Sequence, residues 1–111
     1  MANETPDSGP ITLINVFEIP PDDVEQFLQQ WHERAGFLGM QPGFRSLRLH
    51  RAIHPDTRFQ LVNVAEWDSA EALQAATAQD FFQQSAQHSV QELAVAAHPA
   101  VYRVVIEATA G

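Results

Sequence analysis

Cysteine is absent from this 111-residue chain, and with it go disulfides, thiolate nucleophiles and cysteine-ligated metals. No run approaches the roughly 20 apolar residues of a membrane span, and the first residues are polar and acidic where a signal segment would be basic and then apolar. The expected location is cytoplasmic, with no membrane partner. Positive charge is scarce: six basic residues, all arginines, stand against 14 acidic ones and leave a net charge of −8. The arginines are scattered, which gives no electrostatic footprint for nucleic acid. No two histidines share a helix-face spacing with a nearby carboxylate, so no metal site is expected.

What is present is 45% hydrophobic residues, enough for one core and not comfortably for two. Residues 1–10 offer little to bury and read as a flexible tail, and residues 11–108 as a single domain. A monomer of this size has a modest stability margin, so burial of one face against a second copy is expected, giving a homodimer.

Alternation from Ile11 to Ile19 predicts a first strand. Pro20-Pro21 cannot continue it but suits a helix start, where Asp22 and Asp23 complement the dipole. Val24, Phe27, Leu28, Trp31, Ala35 and Leu38 then recur at helical spacing. After the Gln41-Pro42-Gly43 turn, Phe44–Ile53 and Arg58–Trp67 predict a hairpin around His54-Pro55-Asp56-Thr57. Asp68 or Ser69 caps a second helical region that breaks near Gln79-Asp80. Pro99 is expected to stop it, and Val101–Ala108 to supply the last strand. The order strand, helix, strand, strand, helix, strand predicts an α+β, ferredoxin-like split βαβ fold: a four-stranded antiparallel sheet with helices on one face. Its other face, with Ile14, Val16, Val62 and Val64, is too apolar to leave in water.

Two asparagines break these apolar rows. Asn15 stands among Ile11, Leu13, Phe17 and Ile19, and Asn63, with Trp67, among Phe59, Leu61 and Ala65. Asn is depleted in strands, and a buried amide without partners costs about 1–3 kcal/mol. Either the two amides bond each other across neighbouring strands or a ligand in an apolar pocket takes them up. Trp67 is open to the same pair of readings, as core packing or as a pocket residue.

These residues carry a family resemblance. The strand Leu-Ile-Asn-Val-Phe-Glu-Ile around Asn15, the turn Gln-Pro-Gly-Phe at 41–44, and Leu-Val-Asn-Val-Ala-Glu-Trp-Asp-Ser at 61–69 resemble the antibiotic biosynthesis monooxygenase (ABM) family. The resemblance implies a dimeric α+β barrel and a cofactor-independent monooxygenase: no cofactor, with a quinol- or anthrone-like aromatic and dioxygen as reactants. Asn15, Asn63 and Trp67 match the positions implicated in the anthrone-oxygenase branch, so they are the expected catalytic residues. A pocket tyrosine of some members falls on Leu73 here. Phe17, Phe27, Trp31, His50, Leu73, Phe81 and Phe82 are the candidate substrate-binding residues, with His50 the first choice of base among His32, His50, His54, His88 and His98. The haem-degrading branch is similar at Asn15, but its Trp and axial His fall on Ala76 and Ala86, and His88, two residues on, points elsewhere on a helix. A non-catalytic dimer binding an aromatic metabolite is the rival reading, and haem binding is a third.

Overall fold

A computed structural model describes residues 9–111. The tail expected at residues 1–10 therefore lies, apart from Gly9 and Pro10, outside the described residues. Strand β1 runs Ile11–Glu18. A single 3-10 turn, Pro21–Asp23, leads into helix α1, Val24–Leu38, because proline fits a first helical turn and no later one. Strands β2, Phe44–Arg51, and β3, Leu61–Trp67, form the hairpin. Helices α2, Ala70–Thr77, and α3, Asp80–Glu92, follow, and β4, Ala96–Tyr102, closes the sheet. Ser69 caps α2 by accepting the Ala72 N–H at 3.1 Å.

The sheet order is β2-β3-β1-β4, antiparallel throughout. This is the α+β ferredoxin-like arrangement that the element order predicts. Asn15 and Asn63 are direct cross-strand partners. Residues two apart share a face, so Leu13, Asn15 and Phe17 of β1 and Leu61, Asn63, Ala65 and Trp67 of β3 all face the helices.

The last strand departs from its expected place. It begins at Ala96, five residues before Val101, and Pro99 lies inside it, paired with Asn15. The reason is positional: β4 is an edge strand, where a missing backbone donor is tolerated. Val104, Val105 and Ile106, expected in the strand, lie beyond it and are exposed.

Gly43 illustrates how tightly the β2 end is built. Its φ is +86°, and a Cβ there would come within 2.5 Å of the Ala72 Cβ. Its carbonyl accepts the Asp68 N–H at 2.7 Å, so the turn and the start of α2 are seated on each other. No helix among the described residues is long and apolar enough to cross a membrane.

Candidate active site

The helix-facing side of the sheet carries two hydrophobic clusters. One gathers Phe17, Ile19, Val24, Phe27, Trp31, Leu61 and Leu93. The other gathers Ile11, Leu38, Ala65, Trp67, Leu73 and Ala76. Between the sheet and α3 the packing is incomplete. A cavity of about 190 Å³ is lined by Asn15, Phe17, Phe27, Trp31, Arg34, Phe82, Ala86, Ser89 and Pro99, among others. A second, of about 320 Å³, is lined by Leu13, Asn15, Leu73, Thr77, Phe82, Pro99, Ala100 and Val101. Asn15, Phe82 and Pro99 border both, so the two lie side by side as lobes of a cleft, with Asn15 between them.

Aromatic rings wall the smaller lobe. Phe17 lies 5.1 Å from Phe27 and meets Trp31 edge-on at 5.7 Å, while Phe27 and Trp31 are stacked at 6.1 Å. Such walls suit a flat apolar ligand. Polar atoms in them stand unpaired: Asn15 Oδ1, Trp31 Nε1 and Arg34 Nε are buried without a hydrogen-bond partner. The same holds for Asn63 Oδ1 and Trp67 Nε1. These five side-chain atoms are the orphans among the described residues, and three belong to residues lining one lobe. Buried polar atoms are otherwise nearly always paired.

The amides do not satisfy each other. Asn15 and Asn63 sit opposite one another, yet neither Oδ1 finds a donor. Asn15 is half-buried and reaches the cleft, whereas Asn63 is sealed, 1% exposed, one strand further in. Trp67 has no exposed surface at all; its ring meets Phe44 edge-on at 5.2 Å within the second cluster, and it lines neither lobe.

Of the expected substrate-binding residues, Phe17, Phe27, Trp31, Leu73 and Phe82 line the cleft. His50 and Phe81 do not. His50 is exposed on the outer face of the sheet, its Nδ1 3.2 Å from the Val62 carbonyl oxygen. Leu49 is the β2 residue paired with Asn63, so strand alternation turns His50 away from the helices. Phe81 is displaced by helical geometry: one residue before Phe82, it points off the cleft and packs on Phe37 with centroids 4.9 Å apart. None of the five histidines lines either lobe. His88 pairs with Glu92 at 3.0 Å on the surface, and Ala76 is buried in the second cluster.

Two cleft residues escaped the sequence reading. Arg34 is 3% exposed, donates from Nη2 to the Ser89 Oγ at 2.6 Å, and lies 5.2 Å above both the Phe27 and Trp31 rings. Burial pushes its guanidinium down from 12.5 to about 10, so it remains charged at neutral pH. The signal was there: 24, 27, 31, 34 and 38 follow a 3-4 spacing, which places Arg34 on the apolar stripe of α1. Ser89 likewise falls in step with Phe82, Ala86 and Leu93.

The fold and this cleft define a small α+β domain with a ligand-sized, aromatic-walled chamber between its sheet and its helices. Residues 10–88 match the family profile described as antibiotic biosynthesis monooxygenase, and the chain belongs to that family. No curated protein matches the sequence. Among solved structures, a candidate monooxygenase from Shewanella loihica PV-4 is 34% identical, with 90% of this chain and 98% of that one covered at a TM-score of 0.72. SnoaB, a cofactor-independent oxygenase from Streptomyces nogalater, is 24% identical over 90% of this chain and 97% of its own, at a TM-score of 0.75. Rv0793 from Mycobacterium tuberculosis is 18% identical over 90% and 99%, at a TM-score of 0.74. Likeness to the last two is likeness of fold.

Proposed function

We propose that this protein, through its single domain at residues 11–108, is a cofactor-independent monooxygenase that oxidises a quinol- or anthrone-like aromatic with dioxygen. The observation that carries this reading is the pairing of aromatic walls with unsatisfied buried polar atoms in one cleft. Family membership and the likeness to a cofactor-independent oxygenase support it.

An anthrone has a ring CH₂ made acidic by its conjugated carbonyl. Loss of one proton gives an enolate, electron-rich enough to pass an electron to dioxygen. Recombination of the resulting radical pair forms a C–O bond and, with a proton, a hydroperoxide. Elimination of water leaves a carbonyl at the former CH₂, so one oxygen atom enters product and the other leaves as water. The protein's task is to favour the enolate and to keep the ring dry and oriented. In the proposed site Asn15 turns its amide N–H to the enolate oxygen, worth about 3–4 kcal/mol in a preorganised dry site, and Asn63 holds the adjacent polarity behind it. Trp67 packs behind Leu73, outside the cleft wall. With no histidine or carboxylate lining the cleft, stabilisation of the enolate takes the place of a strong base and the proton leaves to solvent.

The test is oxygen uptake by metal-free protein given anthrone, set against Asn15→Leu. The wild type is expected to accelerate uptake, and the variant to lose about 10²–10³-fold while remaining folded, because the Oδ1 that is removed has no partner to lose. Uptake unaffected by protein, or unaffected by the substitution, sinks the reading. Saturable binding without turnover would favour a metabolite-binding role.

A homodimer is part of the proposal. The outer face presents half-buried Ile14, Val16, Val62 and Val64, and the exposed Val104, Val105 and Ile106 follow the edge strand. Sedimentation is expected to give twice the chain mass; a monomer at micromolar concentration overturns this part alone.

A further inference from the structure

Arg34 poses a problem of charge. The residue is 3% exposed, yet among the described residues no carboxylate forms an ion pair with it. A buried charge is ordinarily paired, because desolvation without a counter-charge is expensive. The one side-chain acceptor it finds is neutral. Having accepted from Arg34, the Ser89 hydroxyl donates its proton to Gln30 Oε1, and Gln30 Nε2 donates to Glu92 at 3.2 Å. The nearest acid in this line of bonds is thus two neutral side chains away, at the surface. Arg34 Nε–H has no acceptor. In a protein of net charge −8, a single cation held inside the core without an acid is a specific arrangement.

Its setting shows where the missing acceptor would come from. Arg34 lines the smaller lobe together with Asn15 from the sheet and Trp31 from its own helix. The Phe27 and Trp31 rings beneath it, each 5.2 Å away, fix the guanidinium plane and exclude water from one side. The Nε–H is left without an acceptor on a side chain that lines the lobe, and a guanidinium suits the planar oxygens of a carboxylate.

We infer that the ligand of this cleft is an aromatic acid, whose carboxylate is bound by Arg34 while its ring lies against Phe17, Trp31 and Phe82. Arg34 is then a specificity-determining binding residue, and the Ser89–Gln30 relay is what holds it in place. The inference rests on the reading of the cleft as an aromatic-substrate site and narrows it to substrates that carry an anionic substituent apart from the reacting ring carbon.

The experiment compares two probes of nearly equal shape, anthraquinone-2-carboxylate and anthraquinone-2-carboxamide, by quenching of tryptophan fluorescence and by calorimetry on the full chain. Wild-type protein is expected to bind the acid at least about tenfold more tightly than the amide. Arg34→Gln is expected to bind both with the affinity the wild type shows for the amide. Arg34→Lys keeps the charge and loses the planar edge, so it is expected to retain a smaller preference. Should the glutamine variant fail to fold, the wild-type preference and a larger rise in Tm with the acid than with the amide still decide the matter. Equal binding of acid and amide by wild type overturns the carboxylate site and leaves the aromatic cleft standing. Binding of neither probe overturns both.

Discussion

The two tryptophans make the sharpest contrast in the molecule. Each has a buried indole N–H with no partner, and each faces the space between sheet and helices. Trp67 is sealed among Phe44, Leu73 and Ala76, with no exposed surface, and lines neither lobe. Trp31 has the same chemistry but forms a wall of the cleft, beside Arg34 and across from Asn15. The difference shows that an unpaired polar atom marks a ligand site only where there is also room for the ligand. In the half of the sheet around Trp67 the void reaches only the edge of the cluster, at Leu13 and Leu73, and in the half around Trp31 the same fold leaves a void between β1, β4, α1 and α3.

The largest effect that tests this contrast is on stability. Trp67→Ala is expected to cost about 3–5 kcal/mol, since a full ring is withdrawn from a closed core and the space it leaves cannot collapse. That is a large share of the stability of a small domain. Trp31→Ala is expected to cost distinctly less, because part of its surface already borders empty space, and to abolish binding of aromatic probes that Trp67→Phe leaves intact. Urea unfolding of both variants, with calorimetric titration of anthraquinone-2-carboxylate, measures the difference. Equal stability losses would erase the distinction between an open and a closed half.

The same contrast explains what the sequence disclosed. Period-two alternation was enough to put Asn63 and Trp67 on one face of their strand and Asn15 in an apolar row of its own, and the turn chemistry at 41–44 and 54–57 was enough to place the hairpin, but the register that makes the two amides partners was not legible. The sheet order follows from the element order. What alternation does not carry is depth. Asn15 opens into the cleft and Asn63 is sealed, although they are register partners, because the cleft lies over β1 and β4 and no β3 residue lines it. Arg34 was hidden for a different reason: an arginine reads as solvated surface unless the apolar stripe of α1 is followed through it. The strand β4 was displaced because Pro99 looks like a terminator and is one only in a central strand. His50 qualifies as a base by its chemistry alone, and strand parity places it on the outer face, since Leu49 and not His50 pairs with Asn63.

The two halves also differ in how their walls are held, and this leads to the smallest expected effect. The closed half is held chiefly by packing, with the Thr12–Glu66 hydrogen bond and the Arg45–Asp68 pair at its surface. On the open side β4 is an edge strand whose own side chains are mostly exposed, and its attachment to β1 is reinforced at one end by charge. Glu18, the last residue of β1, accepts from Arg58 Nε at 3.1 Å and from His98 Nε2, on β4, at the same distance. The Arg58 hydrogen bond, and then that of His98, holds the Glu18 carboxyl below its usual 4.5. A carboxylate whose pKa is lower folded than unfolded adds stability above the unfolded value and loses it as pH falls through the folded one. Part of the acid limb of the stability curve below about pH 4.5 should therefore belong to Glu18. Both partners are solvent-accessible and screened, so the contribution is small. Glu18→Gln is expected to lower stability slightly at pH 7, to flatten the curve on the acid side, and to converge with wild type at the lowest pH. Amide exchange should show the change at β4, at Ala97 and Ala100 where that strand walls the cleft, and not at Leu61–Trp67. Parallel stability curves for the two proteins from pH 7 to 3, or exchange altered equally in β3 and β4, would mean that the open wall is held by the same packing as the closed one.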